Sequence, residues 1–312
     1  MPIEPDRTKK YGTLDLKPDH GEMIKPAETI DIVGVEGLTL RDKLIWNDLI
    51  ANAFGPEMRE FDRDFKIDLT PLRANHNAND RVEDSIERLM KTIARCKMPN
   101  GSVTRFQLLG GNNMGDPTRP RGELTYSFDK RLIEVLRDSI SFGKLELSVM
   151  AAFSSKYALS LYEHLSRRVN LKHKWMQEYT VEEFRDVLGV GKGQLKAFGN
   201  LKQRAIKPAL EEVNHWAPFR ITLTYKKTGQ RVTGITMAWT WKDQAGRAKV
   251  REELQRPKVG RKARMQGIKE TVVVLEPDRI KLADGELPFE DQIADLEDEE
   301  SVLQAAELTP RD

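Results

Sequence analysis

Residues 192–207 form a segment rich in side chains that can hydrogen-bond to DNA. Its cationic and amide residues are Lys192, Gln194, Lys196, Asn200, Lys202, Gln203, Arg204 and Lys207. No Asp or Glu occurs from Val187 to Leu210. Arg, Asn and Gln form paired hydrogen bonds with base edges, whereas Lys mostly contacts phosphate. The composition therefore favours a DNA-reading segment over the alternative, an ordinary solvated helix face.

Two smaller groups of basic residues accompany this segment. Lys226, Lys227 and Arg231 flank a predicted hairpin turn and are placed to contact neighbouring phosphates. In the N-terminal half, a predicted helix carries Arg81, Arg88, Lys91 and Arg95. Glu83, Asp84 and Glu87 are interspersed among these four residues and reduce their net charge. We therefore expect the N-terminal group to make only auxiliary DNA contacts.

The spacing of apolar residues predicts the elements that position the C-terminal basic segment. A stripe at a spacing of four predicts a first helix over 157–165. The capping box Thr180-Val181-Glu182-Glu183 opens a second helix. A third helix is predicted to begin after Gly191, with Pro208 bending or restarting it. Alternating apolar residues then predict two strands, over 221–225 and 235–241.

The N-terminal half shows the same order of elements. Apolar residues predict helices over 38–49 and 82–93. Strands predicted over 103–109 and 124–128 flank the glycine-rich segment 110–117, which we expect to join them as a hairpin loop. Helices followed by a hairpin are typical of a winged helix-turn-helix. The sequence therefore predicts an α+β, mainly helical fold with two tandem winged helix-turn-helix domains.

Charge is distributed unevenly along the 312 residues, although the formal net charge is only +2. The net charge is −2 over 1–149, +9 over 150–242, +7 over 247–269 and −10 over 276–312. This asymmetry indicates a polyanion partner, with simple solvation of the surface as an equal alternative. We predict a flexible arm over 1–37, winged helices over 38–145 and 146–242, and a basic-then-acidic, largely disordered tail over 243–312.

Three stretches between residues 156 and 242 match a known family. They read YALSLYEHL at 157–165, TVEEFRDVLGV at 180–190 and FGNLKQRAIKPALEEVN at 198–214, and a Lys-rich hairpin with Gly229 follows. On these residues, the chain resembles the C-terminal winged helix of the iteron-binding plasmid replication initiators. The N-terminal half matches that family in its order of elements.

The resemblance implies a division of labour between two winged-helix domains. The C-terminal domain would read short direct repeats in double-stranded DNA at a plasmid origin, with contacts in the basic segment from Lys196 to Arg204. The N-terminal domain would add DNA contacts and mediate homodimers in equilibrium with monomers. Bound copies would promote origin opening and recruit the host initiator and the replicative helicase. Dimers would repress the protein's own promoter.

Two other functions remain open at this stage. A winged-helix transcriptional repressor would bind an operator, and one inverted repeat beside the gene would favour it over tandem direct repeats. A partner-binding scaffold would use the same fold and show no sequence preference for DNA. The fold by itself does not specify which of these functions the protein has. The DNA that the protein binds would distinguish them.

The sequence gives no support for catalysis, a cofactor or a metal ion. The five histidines include no His-hydrophobic-His pair of the kind that nicking initiators use to bind metal. A phosphate-binding loop at Gly191-Lys192 would need glycine at Asp186 and Ser or Thr at Gly193. The single cysteine, Cys96, excludes a disulfide framework. We expect a DNA-binding protein that is not an enzyme.

The composition also predicts where the protein acts. No apolar run approaches the roughly 20 residues of a membrane span, and the N-terminus lacks the apolar core of a signal peptide. We therefore expect a protein of the bacterial cytoplasm, without membrane partners.

Two features of the C-terminal tail suggest further contacts. Gly285-Glu286-Leu287-Pro288-Phe289 faintly resembles peptides that dock on the sliding clamp, although an incidental apolar patch is the favoured interpretation. The acidic residues of 276–312 would compete with DNA for the basic surfaces. Removal of that segment is therefore expected to tighten non-specific DNA binding.

Overall fold

The computed structural model describes residues 12–74, 81–98, 101–115, 122–137, 139–171 and 173–255. Its α-helices are α1 (Ala27–Ile30), α2 (Leu40–Ala53), α3 (Leu69–Ala74), α4 (Val82–Lys91), α5 (Lys130–Arg137), α6 (Leu147–Ala152), α7 (Lys156–Ser166), α8 (Val181–Leu188), α9 (Phe198–Leu201), α10 (Lys207–Trp216) and α11 (Gln244–Gln255). Its strands are β1 (Glu22–Pro26), β2 (Phe65–Asp68), β3 (Ile93–Lys97), β4 (Val103–Gln107), β5 (Asn112–Met114), β6 (Glu123–Tyr126), β7 (Phe142–Glu146), β8 (Met176–Thr180), β9 (Phe219–Thr228) and β10 (Arg231–Trp241).

The N-terminal winged helix consists of α2, β2, α3, α4 and the β3–β4 hairpin. Thr39 caps α2 in a capping box with Asp42. Apolar residues at helical spacing, such as Ile45 and Leu49 on α2 and Ile86 and Leu89 on α4, are buried and join the two helices. This packing places α4 and the hairpin after it on the outside of the domain.

The hairpin of this domain differs from the prediction in its pairing. Strand β4 pairs with β3, whereas β6 pairs with β2 and β5 in a separate three-stranded sheet. The expected hairpin between 103–109 and 124–128 is therefore wrong. The helix predicted over 82–93 ends at Lys91, and Ile93 begins β3 with 59% of its surface exposed. Helical spacing placed Ile93 with Leu89, but strand pairing with Gln107 determined its conformation.

Residues 12–37 are an ordered part of the first domain. Strand β1 pairs antiparallel with β7 from Glu22↔Glu146 to Pro26↔Phe142, and Leu14, Met23 and Ile24 are buried. The prediction of a flexible arm over 1–37 is thus wrong for these residues, and residues 1–11 lie outside those described. The strand partner of β1 is more than 100 residues away in the chain, so local periodicity gave no indication of the pairing.

The C-terminal winged helix is built from α7, β8, α8, the helical segment 198–216 and the β9–β10 hairpin. Its sheet has the order β8-β10-β9, and all neighbours are antiparallel. Helix α7 packs on α8 and α10. Buried residues such as Leu161, Phe184 and Ile235 fill the space between the helices and the sheet. Tandem winged-helix architecture, the central prediction from the sequence, is confirmed.

The last described element corrects the predicted tail. Helix α11 occupies residues that were expected to be largely disordered, and it contacts α6 and α10. Glu253 of α11 pairs with His215 of α10 at 3.0 Å. None of its residues is buried, which explains why a search for apolar residues missed it. Residues 256–312, including the acidic segment 276–312 and Gly285–Phe289, lie outside the described residues.

Buried polar groups join the two domains. Lys25 Nζ donates hydrogen bonds to Glu163 Oε1 and Asn47 Oδ1, each at 2.8 Å. Asn47 Nδ2 donates to the same Glu163 oxygen at 2.7 Å. Lys43 of α2 donates to Ser160 Oγ of α7 at 2.6 Å. Because unpaired polar groups are costly in the interior, this network specifies how α2 packs against α7.

Within the described ranges, no helix is long and apolar enough to cross a membrane. The same residues contain no group of three or more His, Cys, Asp or Glu side chains arranged to hold a metal ion. His164, for example, is buried and hydrogen-bonds through Nε2 to Tyr179 Oη at 2.8 Å.

Candidate nucleic-acid interface

Helix α8 and the turn after it set the approach to the candidate DNA-reading helix. Thr180 Oγ1 accepts from Glu183 N at 3.2 Å, and Glu183 Oε2 accepts from Thr180 N at 2.8 Å. This is the capping box that the sequence predicted. The helix ends at Gly189, whose φ of 68° lies in the left-handed region that favours glycine. Residues 190–197 then form the turn.

The turn is longer than predicted, so the helix begins later. Gly193 and Leu195 have φ values of 81° and 46°, which a right-handed helix does not allow. The helix therefore starts at Phe198 and not directly after Gly191. Lys192, Gln194 and Lys196 belong to the turn, and all three are exposed. They precede the N-terminal end of the helix, where a recognition helix contacts base edges.

A buried arginine that we did not predict as a site residue holds this turn. Arg185 of α8 is 8% exposed. Its guanidinium donates to the carbonyl oxygens of Gln194, Leu195 and Lys196 at 3.1, 2.8 and 2.9 Å. Three carbonyls bonded to one rigid donor group fix the backbone that carries Gln194 and Lys196. One feature of the sequence could have identified Arg185: it is the basic residue of a helix whose other charged residues, at 182, 183 and 186, are acidic.

The recognition helix, 198–216, is continuous but irregular. It consists of α9, a π-helical turn (Lys202–Ile206) and α10. Pro208 follows the π turn and lacks the N–H that would bond to the carbonyl of Arg204. The π turn next to Pro208 is a local irregularity of the helix. Leu201, Ala205, Ile206, Ala209 and Val213 are fully buried and fix the inner face.

The outer face of the recognition helix presents the predicted polar residues to solvent. Asn200, Lys202, Gln203, Arg204 and Lys207 are all exposed. Lys202 and Arg204, like Lys192 and Lys196 in the turn, form no ion pair with any carboxylate that the structure describes. Lys207 approaches Glu211 at 3.9 Å, and both side chains are well exposed. These cations are therefore available to a polyanion.

The β9–β10 hairpin forms a wing beside the start of the recognition helix. The rings of Phe198 and Tyr225 pack edge to face with centroids 5.5 Å apart. Lys202 Nζ lies 5.0 Å from the centroid of the Tyr225 ring. Gly229, with a φ of 60°, makes the turn of the wing. Lys226, Lys227 and Arg231, the predicted phosphate contacts, flank it and are exposed.

The wing and the turn also share a groove of about 530 Å³. Lys196 and Arg231 line it together with Arg185 and Phe198. Two basic residues far apart in sequence are thus brought to one concave surface. The tertiary structure therefore places Lys196 of the turn and Arg231 of the wing on one surface.

The N-terminal domain places its predicted site residues differently. Arg88 pairs with Asp42 of α2 through Nε and Nη2, at 2.8–3.1 Å. Lys91 pairs with Glu87 one turn away on α4. Arg95 lies on β3 and not on the helix. Arg88 and Lys91 lie on the predicted helix, but the prediction that Arg95 lies there too is wrong. The contact of these residues with DNA stays a prediction, and the two on the helix already have carboxylate partners.

Exposed basic residues of this domain occur instead on its hairpin. Arg95 and Lys97 alternate with buried residues on β3, and Arg105 is paired with Arg95 on β4. All three are exposed. Lys97 and Arg105 were missed, although the period-two alternation of the strands could have identified them.

Comparisons with known proteins agree with this architecture. The model of the initiator replication protein WH1 domain matches residues 36–166, and the model of the initiator Rep protein WH2 domain matches residues 180–239. Together they cover more than half of the chain. No curated protein matches.

Solved structures were compared with the chain as well. The crystal structure of Pi initiator protein in complex with iteron DNA is similar at a TM-score of 0.54 and 16% identity, over 72% of this chain and 98% of that one. A structure of domains 2 and 3 of RctB gives a TM-score of 0.39 and 11% identity, over 73% of this chain and 95% of that one. From the two matched domains in this order, the chain belongs to the initiator Rep protein family.

Proposed function

We propose that this protein is a plasmid replication initiator that binds short direct repeats at its origin. The proposal rests chiefly on the exposed side chains of Asn200, Lys202, Gln203 and Arg204 on the recognition helix, of which Lys202 and Arg204 pair with no carboxylate in the described structure. Membership of the initiator Rep family supports it. So does the likeness to Pi initiator protein, whose structure was solved with iteron DNA.

The positions of these side chains suggest how DNA is read. Asn200, Gln203 and Arg204 are assigned to base edges in the major groove, because these residue types donate or accept paired hydrogen bonds. Lysines of the turn and helix, with the wing residues Lys226 and Lys227, are assigned to phosphates. Phosphate contacts release counterions, so binding is expected to weaken steeply as salt increases.

Initiation would follow from several copies bound to adjacent repeats. Bound copies would strain neighbouring AT-rich duplex, and exposed surfaces would recruit the host initiator and the replicative helicase. The protein itself would catalyse no reaction and would need no cofactor. It would act in the bacterial cytoplasm, exchange between monomer and homodimer, and repress its own promoter as a dimer. The tail segment Gly285–Phe289 would contact the sliding clamp.

Footprinting of the full-length protein on the DNA beside its gene tests the proposal. Protection of several tandem direct repeats is expected, and a fragment with scrambled repeats should show none at the same concentration. Protection of one inverted repeat only would favour an operator-binding repressor. Binding without sequence preference would contradict a reading role and favour a scaffold. Loss of plasmid establishment when the repeats are scrambled would link binding to initiation.

A further inference from the structure

A cleft of about 330 Å³ lies between the two winged-helix domains, away from the recognition helix. One wall comes from residues 29–38 and α2, and the other from α7, β8 and α8. Apolar side chains of both walls, including Ile32, Trp46 and Val187, line it. A mixed cleft of this size between domains is a common setting for small ligands.

Lys43 is the unusual residue of this cleft. Lys43 is 9% exposed, and its one hydrogen bond to a described residue is to Ser160 Oγ at 2.6 Å. An ammonium group has three donors, so two remain. No described carboxylate lies within ion-pair distance of Lys43. It is therefore a nearly buried cation in the wall of a cleft, without a counter-ion.

The nearby charged groups are already engaged with one another. Glu163 accepts from Lys25 and Asn47. Lys156 donates to the backbone carbonyls of Glu36 and Leu38 at 2.7 and 3.2 Å. Lys25 thus has a carboxylate partner and Lys156 has two carbonyl acceptors, whereas Lys43 has only the hydroxyl of Ser160.

The energetics of burial point to an anion as the missing partner. Burial lowers the pKa of Lys43 to about 8, although the negative charge of Glu163 opposes that shift. A buried cation is stabilised by a paired anion that also accepts its hydrogen bonds. The backbone of Gly189 packs close to the amine, since a Cβ atom there would lie 3.4 Å from Lys43 Nζ.

Acidic residues of the cleft restrict which anion fits. Glu36, Glu178 and Asp186 also line it. Burial and the neighbouring carboxylate of Glu36 raise the pKa of Asp186. These carboxylates would repel a polyanion more strongly than a ligand with a single negative charge.

We propose that the cleft binds a small organic carboxylate with an apolar body. The carboxylate pairs with Lys43 Nζ, and the body packs against Ile32, Trp46 and Val187. Because both domains contribute to the walls, a bound ligand stabilises their mutual arrangement by linkage. The proposal does not depend on DNA binding and is tested without DNA.

Calorimetric titration of the full-length protein with octanoate tests the proposal, with octanamide as the uncharged match. Octanoate should bind about tenfold or more tightly than octanamide, because a charge-assisted hydrogen bond is lost in the amide. Lys43→Met should remove that preference. Lys66→Met, which changes an exposed lysine elsewhere, should leave it intact. Absence of octanoate binding, equal binding of the two probes, or an unchanged preference in Lys43→Met would overturn the proposal.

A second variant covers the case in which Lys43→Met fails to fold. Val187→Trp fills the cleft from α8 and leaves the buried network of Lys25, Asn47 and Glu163 untouched. It should keep the thermal transition of the parent protein and lose octanoate binding. Octanoate should also raise the melting temperature of the parent and not that of Val187→Trp. Binding of octanoate to Val187→Trp as tightly as to the parent would place the ligand elsewhere and refute the site.

Discussion

The two winged helices share a fold but use their basic residues differently. In the N-terminal domain, Arg88 on α4 forms a bidentate pair with Asp42, a fully buried carboxylate on α2. In the C-terminal domain, Lys202 and Arg204 face solvent, and no described carboxylate pairs with them. Helices of similar basic content therefore differ in whether a carboxylate on a neighbouring helix pairs with their cations.

The largest expected effect is on stability, in the N-terminal domain. Arg88→Ala leaves Asp42 buried without its partner and should lower the free energy of unfolding by about 3 kcal/mol, the lower end for a buried pair because Arg88 is partly exposed. Urea denaturation measures this. Lys91→Ala, which removes an exposed pair, should change stability little. A small effect of Arg88→Ala would show that Arg88 does not stabilise the N-terminal domain through its pair with Asp42.

The pH dependence of the same variant adds a second test. The hydrogen bonds from Arg88 and Thr39 outweigh burial and hold the pKa of Asp42 below its usual value of 3.8. This stabilising contribution is present above pH 3.8 and is lost as the pH falls through the lowered pKa. The parent should therefore lose more stability than Arg88→Ala between pH 5 and 2. Parallel curves of unfolding free energy against pH for the parent and Arg88→Ala would show that Arg88 does not lower the pKa of Asp42.

The second effect concerns the turn before the recognition helix. Arg185→Ala leaves three carbonyls without their donor and should cost roughly 2–3 kcal/mol of specific binding. Arg185→Lys keeps the charge but cannot bond all three carbonyls, so it should also lose specificity while retaining non-specific binding at low salt. Titrations of each variant with repeat DNA and with random DNA measure specific and non-specific binding. If Arg185→Lys keeps the parent's preference for repeats, Arg185 does not position the turn.

The third effect is on sequence reading by the C-terminal domain. Arg204→Ala should weaken binding to the repeats by roughly 1–3 kcal/mol and relax the preference at one base position. Its thermal stability should stay near that of the parent, in contrast to Arg88→Ala. Arg220→Ala, an exposed arginine at the far end of β9, serves as control. A footprint of unchanged strength and preference would exclude Arg204 from base reading.

A smaller effect is expected at the wing. Lys226→Ala and Lys227→Ala should weaken binding to all sequences alike, since phosphate contacts carry no sequence information. Each should lower the slope of log affinity against log salt by about 0.9. A change in sequence preference without a change in slope would assign these lysines to bases.

The smallest effect is expected from the acidic end of the chain. Deletion of 276–312 should tighten binding to random DNA modestly, and mainly at low salt, where attraction between opposite charges is least screened. Deletion combined with Lys226→Ala should show a reduced gain if the acidic residues compete for the wing. Equal affinity of full-length and truncated protein at all salt concentrations would show that the acidic segment does not compete with DNA for the basic residues.

Local patterns predicted most of the C-terminal site. The capping box at Thr180 and the exposure of the polar residues within 200–207 depend on neighbours within about one helical turn, which the sequence displays directly. The start of the recognition helix was misplaced because the positive φ of Leu195 is maintained by Arg185, on another helix. The ordered β1 and the partner of β4 were missed for the same reason, since strand pairing is not a local property.

The sequence by itself determined the tandem winged-helix architecture and the concentration of DNA-contacting residue types in 192–207, because periodicity and composition are properties of contiguous residues. Only the tertiary structure decided which basic side chains stay available. It paired Arg88 with a carboxylate 46 residues away and buried Arg185 under the turn. It also left Lys43 without a carboxylate partner at the domain junction. Coulomb pairing and desolvation depend on distance in space, and that distance is set when the helices pack.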